Sequence, residues 1–211
     1  MKRYVILISG RGSNMQALID AQLPGMCTAV ISNRPAAAGL AWAAARGVST
    51  AVVDHTQFPT REVFDAALAE TIESHGADVV FLAGFMRILT ADFVTRFAGR
   101  LVNIHPSLLP AFPGLHTHEA ALRTGVRVHG CTVHFVTSTL DCGPIIAQAV
   151  VPVMAGDTPD SLAARVLVQE HLVYPLAARG ILDERCRLVN GHVVWTDDST
   201  EATAALRVPE R

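Results

Sequence analysis

Four short aliphatic runs in the first hundred residues, with helix-like stretches between them, constrain this chain more than any other feature. Residues 4–8 form a continuous β-branched and aliphatic run, as expected for a strand covered on both faces, and residues 26–31, 48–53 and 78–83 read as three further strands. Between them lie residues 13–21, 37–46 and 60–75. Ser13 stands where a helix N-cap would, Thr60 opens a helix with Glu62 and Asp65 in its first turns, and Gly47 and Gly76 stand where helices stop. Strand and helix in alternation predict an α/β fold, an open and mostly parallel Rossmann-like sheet with helices on both faces.

The second half is less regular. Residues 101–105 read as a fifth strand, followed by a proline-bounded loop and a helix over 118–124. Residues 126–136 and 145–153 read as antiparallel strands around a turn at Asp141, which places an antiparallel strand in the C-terminal half. Asp157 or Thr158 caps a long helix that runs to about residue 179, with Pro159 near its first turn. Asn190-Gly191 between 186–189 and 192–195 predicts a hairpin. Residues 1–195 are expected to form one domain, with halves at 1–100 and 101–179 and a terminal hairpin at 180–195, and the polar stretch 196–211 to be loosely ordered.

Half of the 211 residues are hydrophobic, yet no apolar run reaches the roughly 20 residues a membrane span requires. The opening Met1-Lys2-Arg3 has the charge of a signal peptide, but its apolar part is short and Gly10-Arg11-Gly12-Ser13 is a poor cleavage site. A cytoplasmic protein with no membrane partner is expected. The net charge of −2 argues against nucleic acid as the main partner. Cys27, Cys131, Cys142 and Cys186 form no C-x-x-C pair, so isolated reduced thiols are expected.

Chemistry concentrates in two places. Asn103 and His105 lie two apart in an extended segment and so face the same side. An amide can donate to a developing oxyanion, an imidazole can move a proton near neutral pH, and Asp141 can bring a carboxylate to both. That set suits acyl transfer to an amine, although spacing alone equally fits two turn residues and a satisfied histidine. The second place is Gly10-Arg11-Gly12-Ser13-Asn14, between the first strand and the first helix, where backbone N–H groups and a helix N-terminus can hold an anion. Residue 15 is Met where a dinucleotide fingerprint needs glycine, and no Gly-Lys-Ser/Thr follows, so a monophosphate is the better fit. His116, His118, His129 and His134 raise the question of a metal, but no cysteine or carboxylate pattern completes a zinc set, and no metal is expected.

The stretch Asn103-Ile104-His105-Pro106-Ser107-Leu108-Leu109-Pro110, with Asp141 downstream, resembles the signature of the 10-formyltetrahydrofolate-dependent formyltransferases. Ser9-Gly10-Arg11-Gly12-Ser13-Asn14, Ala83-Gly84-Phe85-Met86-Arg87-Ile88-Leu89, Pro113-Gly114-Leu115-His116-Thr117-His118 and Gln169-Glu170-His171 extend the resemblance over most of the chain. It implies formyl transfer from 10-formyltetrahydrofolate, as cosubstrate, to the amine of phosphoribosylglycinamide in purine synthesis, with both small molecules as partners and a homodimer as a candidate assembly. It further implies that Gly10, Arg11, Gly12, Ser13, Asn14 and Glu170 hold the phosphoribosyl substrate. Arg61, Met86, Arg87, Ile88 and Leu89, with Asn103 and Asp141, would hold the folate, and His134 would support Asp141 and His105. Asn103, His105 and Asp141 carry the catalysis in this reading. Cys142 departs from the family, which often has glycine or alanine there. Members that formylate a tRNA or hydrolyse the folate are normally longer, and the expected class is the shorter one.

Overall fold

The structure is a computed structural model, and it describes residues 1–196; the rest of the polar tail, residues 197–211, lies outside the described residues. A seven-stranded sheet runs through the molecule in the order β3-β2-β1-β4-β5-β6-β7. Its strands are β1 (Lys2–Ile8), β2 (Gly25–Ser32), β3 (Thr50–Val52), β4 (Val79–Leu82), β5 (Leu101–His105), β6 (Val128–Phe135) and β7 (Ile145–Pro152). The pairs from β3 to β5 are parallel, and β6 is antiparallel to both of its neighbours. The single reversed strand in the C-terminal half is the one expected from the Asp141 turn. The helices are α1 (Ser13–Asp20), α2 (Ala38–Ala44), α3 (Arg61–Ser74), α4 (Ala91–Arg96), α5 (Thr117–Thr124) and α6 (Pro159–Leu182). The hairpin of β8 (Cys186–Val189) and β9 (His192–Trp195) closes the described chain.

Alternation along β1 shows why the sheet is covered twice. Tyr4, Ile6 and Ile8 pack with Met15 and Leu18 of α1 and Tyr174 of α6, whereas Val5 and Leu7 pack with Phe64 and Leu68 of α3 and Phe93 of α4. Each such side chain contributes roughly 1.5–3 kcal/mol when fully buried, so neither face can be left wet. The coverage is uneven. The cluster under α3 and α4 reaches β5 only at Leu101 and takes no buried residue from β6 or β7. On that face the β5–β6 end of the sheet is left to loops.

Several boundaries differ from the sequence reading for local reasons. Ser13 does not cap α1; Gly12 does, in the left-handed conformation at φ 73°, without a side-chain hydrogen bond. Thr60 caps α3 as expected, and Thr158 caps α6 in a capping box with Ser161. The third strand shrinks to three residues, and α4 and a 3-10 turn at His55–Gln57 appear where no helix was expected. No helix among the described residues is long and apolar enough to cross a membrane.

Candidate active site

The parallel strands β1, β4 and β5 are neighbours, so the segments leaving their carboxyl ends converge. This is where open α/β sheets place ligands. β1 leads into the Gly10–Asn14 turn, β4 into residues 83–90, and β5 into the Pro106–His116 loop. Asn103 and His105 point to one face as their spacing requires, and the antiparallel register sets His134 opposite Asn103 and Thr132 opposite His105. These four polar side chains occupy the face that α3 and α4 leave uncovered.

The β6–β7 loop folds over that face and brings Asp141 in at φ 52°. Its carboxylate is 8% exposed, lies 3.5 Å from Nδ1 of His105 and 4.0 Å from Nε2 of His134, and accepts the Gly114 N–H at 2.8 Å. The His134 ring can be assigned from its partners. Nδ1 sits 2.9 Å from the Phe135 carbonyl and must donate, so Nε2 is free to accept the Asn103 amide at 3.3 Å. Burial, the largest influence, pushes the His134 pKa down and keeps the ring neutral against the opposing pull of Phe135 and Asp141. His134 therefore orients Asn103, and the Asp141 carboxylate lies nearer to His105 than to His134. The other His105 nitrogen, Nε2, lies 3.0 Å from the Phe112 carbonyl. Both ring nitrogens thus face oxygen acceptors.

The glycine-rich turn and the long helix, far apart in sequence, meet in the fold. Asn14 donates to Glu170 at 2.6 Å, and both are buried. Glu170 is thus no surface glutamate: α6 packs on α1, and its carboxylate turns inward. Burial, the largest influence, raises its pKa, while the Asn14 hydrogen bond pulls it back. Asn14 Oδ1 is left without a protein partner. Gly10 has open space at its Cα, whereas a Cβ at Gly12 would meet the Met15 side chain at 2.8 Å. Arg11 is exposed at the same turn.

Residues 83–90 alternate between inward and outward. Phe85 is buried, Met86 and Ile88 are each 61% exposed, and Leu89 packs on the α3–α4 cluster. The Arg87 guanidinium lies 5.8 Å from the Phe64 ring centroid, one turn along α3 from the exposed Arg61. Cys142 is exposed beside Asp141.

Several site-building residues gave no sequence signal. Thr132 accepts the Leu109 N–H and donates to the Ser107 carbonyl, and Gln148 donates to the Leu109 carbonyl, so β6 and β7 hold the proline loop in place. Thr117 donates to the Pro106 carbonyl. His118 and His129 pair at 3.2 Å, and burial followed by the charge of His118 lowers the His129 pKa to about 4. His116 is exposed beside Glu119, and among the described residues no group of three or more His, Cys, Asp or Glu side chains is placed to hold a metal.

Known proteins match this chain in sequence and in fold. A family described as formyl transferase matches residues 2–178. The chain is 50% identical over 197 residues to phosphoribosylglycinamide formyltransferase of Escherichia coli (strain K12), covering 92% of each. It is 46% identical to the trifunctional purine biosynthetic protein adenosine-3 of Homo sapiens, spanning 93% of this chain and 20% of that protein. Among solved structures, glycinamide ribonucleotide transformylase 1 from Symbiobacterium toebii superposes with a TM-score of 0.89 at 47% identity, covering 92% of this chain and 94% of that one. The Coxiella burnetii phosphoribosylglycinamide formyltransferase, solved with CHES, gives 0.88 at 43% identity, covering 92% and 93%.

Proposed function

This chain belongs to the formyl transferase family, and from that premise we propose that Asn103, His105 and Asp141 act together to move a formyl group from 10-formyltetrahydrofolate to the amine of 5′-phosphoribosylglycinamide. Formyl transfer in purine biosynthesis follows from membership and from the named relatives. The observation that carries the catalytic assignment is the buried Asp141 carboxylate, 3.5 Å from His105, on the sheet face that also displays Asn103.

The residues fit the ligands they would hold. Met86 and Ile88 offer exposed apolar side chains, and Leu140 is 55% exposed beside Asp141, a surface suited to a flat heteroaromatic ring. The open approach at Gly10, the exposed Arg11 and the first turn of α1 suit a phosphate. Asn14 and Glu170 would then face the remainder of that substrate, and Arg61 with Arg87 the acidic end of the folate.

The formyl-folate supplies a carbonyl carbon, and the substrate amine attacks it directly, because His105 is paired with a carboxylate and a carbonyl rather than with a serine or cysteine. One Asn103 amide hydrogen is taken up by His134, which leaves the second to donate to the carbonyl oxygen as it gains charge. His105 Nε2–H would exchange the Phe112 carbonyl for that oxygen. One such donor is worth about 2.7–4 kcal/mol of barrier. The attacking amine loses a proton and the departing folate nitrogen gains one; Asp141 and His105 are placed to pass it between them. Proton transfer of this kind contributes roughly 10²–10⁴-fold.

The test follows deformylation of 10-formyl-5,8-dideazafolate optically. Turnover that requires phosphoribosylglycinamide is the expected result. Turnover with water alone would make the chain a hydrolase and defeat the reading.

A further inference from the structure

Ser9 is the last residue before the glycine-rich turn, is 5% exposed, and faces neither ligand surface in the functional reading, yet it makes three hydrogen bonds. Its backbone N–H donates to the Gly84 carbonyl at 3.2 Å. Its Oγ accepts the Met86 N–H at 2.7 Å and donates to Oδ1 of Asn33, fully buried at the end of β2, at 2.6 Å. Asn33 is held in turn at His55, whose Nδ1 lies 2.8 Å from the Asn33 carbonyl. One serine therefore grips both ends of the Gly84-Phe85-Met86 turn. That turn needs the grip. Gly84 is left-handed at φ 76°, so the backbone bends as it leaves β4, and Phe85 is buried while Met86 is exposed.

We propose that Ser9 is a positioning residue for the folate surface, presetting the backbone at Met86 and tying that turn to the phosphate turn that begins at the next residue. The inference rests on the reading of Met86 and Ile88 as folate-facing. A hydroxyl suits the task because one atom both accepts from the turn and donates to Asn33. The Met86 N–H is consequently occupied within the protein, so recognition of a pterin edge falls to other backbone groups of residues 83–90.

The test measures dissociation constants of 10-formyl-5,8-dideazafolate and of phosphoribosylglycinamide for the wild type, Ser9→Ala and Ser9→Thr, using the full chain. Ser9→Ala leaves the Met86 N–H and the buried Asn33 Oδ1 without their partner, so the folate analogue should weaken roughly tenfold or more while the phosphoribosyl substrate changes by less than about threefold. Ser9→Thr, which keeps the hydroxyl, should recover most of that loss. Amide hydrogen exchange on the wild type gives a second reading that depends on no variant: the Met86 N–H should be protected about a hundredfold or more despite its exposed side chain. Unchanged folate affinity in Ser9→Ala, equal weakening of both ligands, or an unprotected Met86 N–H would each overturn the inference. A wild-type chain that binds neither ligand would instead defeat the functional reading, and the inference with it.

Discussion

At Gly10 and Gly12, two residues of one turn, the same substitution has different consequences. Gly10 opens on empty space, while Gly12 is left-handed and crowded by Met15. Gly10→Val should therefore leave the fold intact and obstruct an anion, raising KM for phosphoribosylglycinamide about tenfold or more. Gly12→Val forces a β-branched residue to φ 73° and should also lower the melting temperature, with a cost of roughly 1–2 kcal/mol or more. Steady-state kinetics beside thermal melts separate the two, and a Gly10→Val enzyme with unchanged KM would remove the phosphate from this turn. At this scale the sequence was legible where chemistry follows spacing. Asn103 and His105 share a face because residues two apart in a strand must. Asn14 and Glu170 could not be paired by spacing, since only the packing of α6 on α1 joins positions 156 residues apart. The roles of Thr132 and Gln148 were hidden for the same reason: a polar residue in a strand carries no mark of the loop it will hold.

Elements were legible in proportion to their length and regularity. The parallel strands and the three-turn or longer helices α3 and α6 announce themselves by continuous apolar runs and by Thr60 and Thr158 at their starts. The six-residue α4 has too few turns for a period to show, and it depends on its cap: the Thr90 side chain accepts the Phe93 N–H, and the Thr90 N–H donates to buried Asp65 at 2.6 Å. Thr90→Ala should cost about 1 kcal/mol, measured by denaturant unfolding, and should raise KM for the folate more than KM for phosphoribosylglycinamide, because Thr90 ends the Met86–Leu89 segment. A loss of stability well under that figure, or equal effects on the two substrates, would argue that α4 does not brace the folate side. Ser13 shows the opposite failure. It is a good capping residue by type, but Gly12 adopts the left-handed cap conformation first and leaves Ser13 inside the helix.

Across the whole molecule, the uneven covering of the sheet explains where the site lies, and the burial of several histidines explains how the protein should respond to acid. Helices cover one face from β1 to β7 and the other only as far as β5. Buried and half-buried histidines lie on both sides: His134 on the β6 face that the loops cover, His129 on the opposite face of β6, His118 in α5 and His171 in α6. His118, His129, His134 and His171 all have pKa values lowered, with burial the largest cause in each. A histidine whose folded pKa is depressed binds fewer protons folded than unfolded, so its contribution is complete above its unfolded value of about 6.5 and is lost as the pH falls below it. His129 alone, lowered to about 4, accounts for up to about 3 kcal/mol of that loss. Thermal melts between pH 7 and pH 4 should show a steady fall, and His129→Phe should flatten it; a flat wild-type profile would contradict this account.

The central claim is that Asn103, His105 and Asp141 serve one transition state, and a double-variant cycle tests it most directly. The measurement is the catalytic rate of formyl transfer from 10-formyl-5,8-dideazafolate to phosphoribosylglycinamide for His105→Ala, Asp141→Asn and the two combined, with folate-analogue binding measured alongside. Each single variant should lose on the order of 10²–10⁴-fold in rate, His105→Ala while still binding the folate analogue, and the combined variant should be little worse than the worse single, because groups acting as a unit are not additive. Multiplying losses, or near-normal turnover in His105→Ala, would contradict the mechanism.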